Sequence, residues 1–207
     1  VYCAVEFHKR FDRSNIKLRD TIVRGDIGDP LYFIIEYSQQ KSIPAERFKP
    51  WVETTNIFQY LGVHYVDLIY HMTGARPVRV SATGQKNLLL SQGIDTYDSI
   101  QANILWENQN GKTFNSVLLT NWIDSNKTSS MSDQKIKVIG TSGRIESDQK
   151  NRGLQMVDAE GIEDINPYFS KAFKQKDGYY IDGYGPKSIR QFINDCKKRT
   201  SSYTATF

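Results

Sequence analysis

The sequence predicts an α+β fold, an open and mostly antiparallel β-sheet with helices packed on one face. Three observations carry the prediction. Between residues 97 and 158, short alternating strands are separated by tight-turn signals. Apolar residues recur at helical spacing over Asn56–Met72 and again near the C-terminus. The order of elements is strand, helix, strand, loop, helix, then a run of antiparallel strands and a last helix.

Taken in order, Val1–Phe7 alternates as a strand. Asp12 or Ser14 is placed to cap a helix running to about Arg24, and Gly25 to stop it. A turn over Gly25-Asp26-Ile27-Gly28-Asp29-Pro30 leads to a strand at Leu31–Gln39, rich in aromatic and β-branched residues. Lys41–Thr54 has no period and reads as a long loop. Asn56–Met72 is the clearest helix, capped by Thr55 or Asn56 and ended by Gly74. Strands follow at Val78–Thr83, Tyr97–Glu107 and Thr113–Ile123, the last two joined through Asn110-Gly111, a strong hairpin signal. Lys135–Gly140 and Arg144–Asp148 flank a second hairpin, and Leu154–Asp158 is a further strand. A Tyr- and Gly-rich stretch at Gly178–Gly185 precedes an amphipathic helix with Ile189, Phe192, Ile193 and Cys196 on one face.

Composition narrows the function classes. At 207 residues, 39% hydrophobic and 12% aromatic, the chain is neither disordered nor fibrous. No apolar run approaches the roughly 18 residues of a membrane helix, so no membrane partner is expected. The net charge of +4 comes from scattered groups, and the dense run Cys196-Lys197-Lys198-Arg199 suits a last helical turn, so no nucleic-acid partner is expected. Cys3 and Cys196 read as reduced thiols of a cytoplasmic protein, and Asn126-Lys127-Thr128 as a chance sequon. The opening Val1-Tyr2-Cys3-Ala4-Val5 reads as a strand already under way. Residues 1–207 are therefore expected to form one domain of a longer protein.

Chemistry is sparse. There is no G-x-G-x-x-G after a strand, no Walker A loop, no C-x-x-C, no H-E-x-x-H and no G-x-S-x-G. The chain is thus not expected to contain a dinucleotide-binding Rossmann unit, a zinc site or a serine nucleophile. What remains is a polar stripe on the best helix: Asn56, Tyr60, His64, Asp67 and His71 lie at spacings of four, four, three and four, along one side. His64 and Asp67 are spaced to share a metal ion, but His71 lies roughly 10 Å from His64 along the axis, and no metal site is assigned. The functional reading of His64 is general acid/base, because imidazole titrates near neutrality. The bland reading is a buried histidine satisfied by Asp67 or backbone. His71 reads as a helix C-terminal histidine.

Gly62-Val63-His64-Tyr65-Val66-Asp67 resembles the G-x-H-x-x-D helix motif of the glucose–fructose oxidoreductase and inositol dehydrogenase family (Gfo/Idh/MocA). Further pieces fit in order. Arg10-Phe11-Asp12 resembles the family's R-F-D, and Gly25-Asp26-Ile27-Gly28 its G-x-I-G turn. Trp51 precedes the helix, and Asn121-Trp122-Ile123-Asp124 resembles its W-x-D strand end. Val138 to Gly143 resembles its V-x-G-x-x-G hairpin, and Gly183-Tyr184-Gly185 stands before the final helix. Together the pieces cover about Val5 to Phe192.

The resemblance implies a two-domain enzyme. An N-terminal Rossmann domain binds NAD or NADP and carries an E-K-P lysine. A C-terminal domain of the dihydrodipicolinate-reductase-like type covers the cofactor, supplies substrate contacts and often forms an oligomer through its open sheet. This chain looks like the C-terminal domain, and alone it would be inactive. The resemblance places His64 as the catalytic histidine and implies a sugar, sugar derivative or cyclitol as substrate. Tyr60, Asn56, Trp51 and Asp67 are the candidate substrate-binding residues, with Trp51 suited to stacking on a sugar face. Lys9 and Arg10 would lie on the cofactor side. Many members have aspartate where this sequence has Tyr60, which can donate a hydrogen bond but is no carboxylate at neutral pH. The alternative is a non-catalytic ligand-binding or sheet-mediated oligomerisation module of the same fold.

Overall fold

The structure is a computed structural model, and it describes residues 3–150, 153–165, 170–175 and 178–201. Helix α1 (Arg13–Arg24) precedes strand β1 (Pro30–Gln40), and helix α2 (Val63–Thr73) precedes β2 (Arg76–Gln85). A one-turn helix α3 (Leu88–Ser91) leads to β3 (Ser99–Glu107), β4 (Thr113–Asp124), β5 (Ser132–Gly140) and β6 (Arg144–Asp148). β7 (Gly153–Asp158), β8 (Gly161–Ile165), β9 (Ser170–Gln175), β10 (Gly178–Gly183) and helix α4 (Tyr184–Lys198) complete the order. Eight strands form one sheet in the order β2-β3-β4-β1-β5-β6-β7-β8, and β9 and β10 pair separately. Every neighbouring pair is antiparallel except β1 with β4, which run parallel. The fold is thus the open, mostly antiparallel sheet that the turn signals predict.

Two-residue alternation gives this sheet two unlike faces. The register aligns Ala102, Leu118, Ile35, Ile136, Ser147 and Leu154 in one row across six strands, all of them buried. One residue along, Gln101, Leu119, Glu36, Lys135, Asp148 and Gly153 form a row on the opposite face. The first face is covered: Leu18 of α1 and Tyr65, Leu68, Ile69 and Met72 of α2 join Phe33, Ile35, Leu118 and Val138 in one hydrophobic cluster. Trp106 and Trp122 are fully buried, and each indole N–H has a partner: Trp106 Nε1 donates to Ser116 Oγ at 2.8 Å and Trp122 Nε1 to the Tyr97 carbonyl at 2.6 Å. Among the described residues no helix covers the second face, which carries charged cross-strand neighbours such as Lys137 and Glu146, 3.0 Å apart.

Local chemistry sets the ends. Asp12 is the cap of α1, its carboxylate accepting from the Ser14 N–H at 2.9 Å, and Gly25 closes the helix at φ 76°. Gly111 takes the positive φ of 74° that the β3–β4 hairpin needs. At Gly140 an added Cβ would stand 2.1 Å from the Ile27 carbonyl oxygen, so only glycine lets the turn after α1 lie against the β5–β6 hairpin.

Several elements differ from the sequence expectation. Val1 and Tyr2 lie outside the described residues, and from Cys3 to Phe7 there is only an isolated bridge at Ala4, followed by a 3₁₀ turn at His8–Phe11. The long helix expected over Asn56–Met72 is broken: a π-turn spans Phe58–Gly62, and regular helix begins at Val63. The predicted loop before it holds a π-turn at Ile43–Arg47 and a 3₁₀ turn at Val52–Thr54. Asp98 creates α3 by accepting from the N–H groups of Asn87, Leu88 and Leu89, a cap supplied from ten residues downstream of the helix start.

Candidate active site

A buried ion pair assembles the site. Arg10, on the 3₁₀ turn, donates to both carboxylate oxygens of Asp67 on α2, through Nε at 2.8 Å and Nη2 at 2.5 Å. The two side chains are 6% and 7% exposed. Arg10 lies two residues after His8 and Asp67 three after His64, so the pair brings the two imidazoles together. Their ring centroids are 4.9 Å apart. Lys9 is fixed in the same segment: its ammonium donates to Gln134 Oε1 of β5 and sits 5.2 Å from the Tyr65 ring centroid. Tyr65 also donates to Gln134 Oε1, at 2.8 Å. The Asn15 amide donates to the Lys9 carbonyl at 2.9 Å.

These residues border a cavity of about 480 Å³. Its floor is the polar end of the covered sheet face, Tyr37 and Gln39 of β1 with Ser132 and Gln134 of β5. His8, Lys9 and Tyr184 form one wall, Tyr60, Leu61 and His64 another, and Gln149 and Lys150 a third. Gly62 shapes the second wall, because a Cβ there would lie 2.8 Å from the Phe58 ring, which packs under the π-turn. His64 Nδ1 is buried without a hydrogen-bond partner, and so is Gln39 Oε1. Burial foremost, then the neighbouring His8 and Lys9, lower the His64 pKa from 6.5 to about 4, so its imidazole is neutral at pH 7. Burial likewise pushes the Tyr60 phenol up, opposed by its contact with the Gln39 amide.

The expected residues divide. His64, Tyr60 and Lys9 line the cavity. Asp67 and Arg10, expected beside substrate and cofactor, hold each other instead. Asp67 therefore does not satisfy His64. Asn56 caps the π-turn, its Oδ1 accepting from the Gln59 N–H at 2.9 Å, and does not border the cavity. Trp51 packs on Phe48 with ring centroids 4.2 Å apart, and Phe48 in turn meets Tyr60 edge-on at 4.7 Å. Trp51 thus supports the back of Tyr60 rather than facing the cavity. His71 has its pKa lowered to about 4 by burial, then by Arg10 and Arg19. His8 is the residue that sequence reading missed; its neighbour Arg10 and the R-F-D segment were the available signal.

A dinucleotide needs donors and positive potential for its pyrophosphate, commonly at a helix N-terminus. Here the α1 N-terminus is closed by the Asp12 carboxylate. In the first turns of α4, the Ser188 hydroxyl donates to the Glu6 carboxylate. Each of these two helix starts thus faces a carboxylate, and neither fits a pyrophosphate.

Fold and cavity define an α+β protein whose covered sheet face ends in an imidazole-walled cleft. The family described as GFO/IDH/MocA C-terminal domain matches residues 16–146, and the chain belongs to that family. It is 27% identical over 179 residues to the scyllo-inositol 2-dehydrogenase (NAD(+)) of Bacillus subtilis, covering 84% of this chain and 49% of that protein. The chain thus spans about half the length of the curated relative it matches. An oxidoreductase from Agrobacterium radiobacter, solved with NAD+, L-tartaric acid and magnesium, superposes with a TM-score of 0.72 at 16% identity, covering 100% of this chain and 58% of that one. An inositol dehydrogenase homolog from Azotobacter vinelandii, complexed with NADH and myo-inositol, gives 0.68 at 14% identity over 95% and 53%. No described helix is long and apolar enough to cross a membrane.

Two predictions follow from this geometry. Asp67→Ala strands a buried guanidinium without its carboxylate and should cost about 3–5 kcal/mol in urea denaturation; a loss under about 1 kcal/mol would show that the pair is not structural. His64 and His71 titrate near 4 in the fold against 6.5 when unfolded, so between those values the unfolded chain binds protons the fold refuses. Stability should be constant above about pH 6.5 and fall as pH drops towards 4, with a shallower fall of the urea midpoint in a His64→Gln/His71→Gln double variant, where His8, also lowered by burial, still contributes.

Proposed function

We propose that this chain is the substrate-binding and proton-handling part of an NAD(P)-dependent oxidoreductase acting on a hydroxyl of a sugar, sugar derivative or cyclitol. The observation that carries the reading is a neutral imidazole in a cavity wall with a buried nitrogen left unpartnered, beside a buried lysine. A polyhydroxyl ligand would satisfy His64 and Gln39, and Tyr60 is positioned to donate to a further oxygen. His64 would accept the hydroxyl proton, and Lys9 would stabilise the negative charge developing on that oxygen. A nicotinamide cofactor, held mainly by a part of the protein outside this chain, would supply the hydride chemistry. The isolated chain would then be inactive, one substrate domain over residues 1–207. Cys3 and Cys196 are exposed free thiols, which suits a reducing compartment such as the cytoplasm.

In the full-length protein, His64→Ala should lower turnover by about 10²- to 10⁴-fold. Turnover near wild type in that variant would remove His64 from the chemistry.

The helix-free sheet face supports a second element, self-association. It bears a concavity of about 660 Å³ walled by Ile34, Glu36, Lys137 and Gln155, with charges of both signs. A two-fold axis through such a face would set Lys of one copy against Glu of the other. Sedimentation of this chain should show a dimer or larger species that dissociates in high salt. A monomer at every concentration sinks this element and leaves the site reading intact.

A further inference from the structure

His8 occupies a position that the acid/base reading does not use. Its ring lies between two others, 4.9 Å from His64 and 5.0 Å from Tyr184. Its Nδ1 is 3.8 Å from the Glu6 carboxylate, whose side chain is 54% exposed. His8 also separates two spaces: it borders the His64 cavity and, on its other side, a concavity of about 420 Å³ that Glu6 and Pro186 help to line. Among the described residues lining the His64 cavity there is no carboxylate, so a proton arriving on His64 has no carboxylate there to receive it.

We propose that His8 is the proton outlet of His64, passing the proton taken in the cavity to Glu6 and the water beyond it. The proposal rests on the reading of His64 as proton acceptor. The step moves protons only: protonated His64 gives up an N–H proton, neutral His8 gains it on one nitrogen and releases one from Nδ1 to the Glu6 carboxylate, which yields it to water. Reduction would run the same path inward. The surrounding charges favour this direction. His64 faces His8, Lys9 and the Phe7 ring, and among the described residues no carboxylate acts on it to stabilise its cation. Burial first, and then Lys9, lower the His8 pKa as well, but Glu6 and Asp12 oppose that shift and favour its charged form, an opposition that His64 lacks. Two imidazoles in contact do not both hold a proton readily, so they should titrate as a coupled pair.

The experiment is NMR of the chain with labelled histidine, its three imidazoles assigned by single substitutions. His8→Asn should raise the His64 midpoint by about half to one pH unit, and Glu6→Gln should lower the His8 midpoint by a similar amount. In the full-length protein, His8→Ala should slow turnover about tenfold in dilute buffer, less than loss of the acid/base group itself, and added imidazole should restore it. An unmoved His64 midpoint in a folded His8→Asn variant overturns the proposal. So does full turnover of His8→Ala while His64→Ala is crippled. Normal turnover of His64→Ala would instead bring down the acid/base reading, and the outlet with it.

Discussion

The Arg10–Asp67 pair is the constraint on which the site depends. It joins residues 57 apart in sequence, and both side chains are almost wholly buried. Removing two charges from water is costly, and a hydrophobic pair of similar volume would often stabilise the fold as well or better. What the ion pair adds is register. A two-pronged contact between a guanidinium and a carboxylate has one good geometry, whereas apolar side chains tolerate sliding. With Arg10 fixed on Asp67, His8 lies beside His64, and Lys9 over Tyr65 and Gln134. The 3₁₀ turn supplies the tight spacing that lets three successive side chains reach three different partners.

The cavity itself arises from a gradient along the strands. On the covered face of β1 the residues read Phe33, Ile35, Tyr37, Gln39, and on antiparallel β5 they read Val138, Ile136, Gln134, Ser132. Each series runs from apolar to polar in the same spatial direction. Where the series is apolar, α1 and α2 pack on it and close the core. Where it turns polar, close packing would bury unpaired groups, and the helical layer stands off instead. The π-turn at Phe58–Gly62 falls at that end, directing Tyr60 and His64 over the polar floor. Core and site are consecutive stretches of one sheet face.

Much of this was legible in sequence, for a local reason. Strand alternation, Asn110-Gly111 and the Asp12 cap each act within a few residues, and the structure places them as read. The G-x-H-x-x-D motif also has a local basis, since Gly62 exists to clear the Phe58 ring and His64 follows it. What sequence could not give is partnership. The stripe Asn56, Tyr60, His64, Asp67, His71 suggests one cooperating face, but Asp67 is claimed by Arg10 and Asn56 by its own turn. The π-turn adds to this: an assumed uninterrupted helix puts Tyr60 and His64 in a register that the wider turn changes. Val1–Phe7 alternates like a strand, yet no pairing beyond Ala4 is available to it in the described residues. α3 has no cap of its own, and only the fold delivers Asp98 to its N-terminus.

The two sheet faces also bear on each other. Glu36 is flanked by Ile35 and Tyr37, and Lys135 by Gln134 and Ile136, so the charged row on the open face alternates residue by residue with the floor of the cavity. Because successive side chains on a strand point to opposite sides of one backbone, a contact that fixes Glu36 and Lys135 also fixes Tyr37 and Gln134. Gln134 is the residue that accepts from both Lys9 and Tyr65. Association through the open face would therefore stiffen the floor on which Lys9 and His64 are set, without any residue of that face touching the ligand. The same reasoning places the site's weakest member at its N-terminal wall. His8 and Lys9 lie on a 3₁₀ turn held by side-chain contacts, among them the Gln134 and Asn15 amides and the Arg10–Asp67 pair, not by strand pairing. On the proposed reading, a further domain packed against that segment would add contacts to it and complete the acid/base geometry.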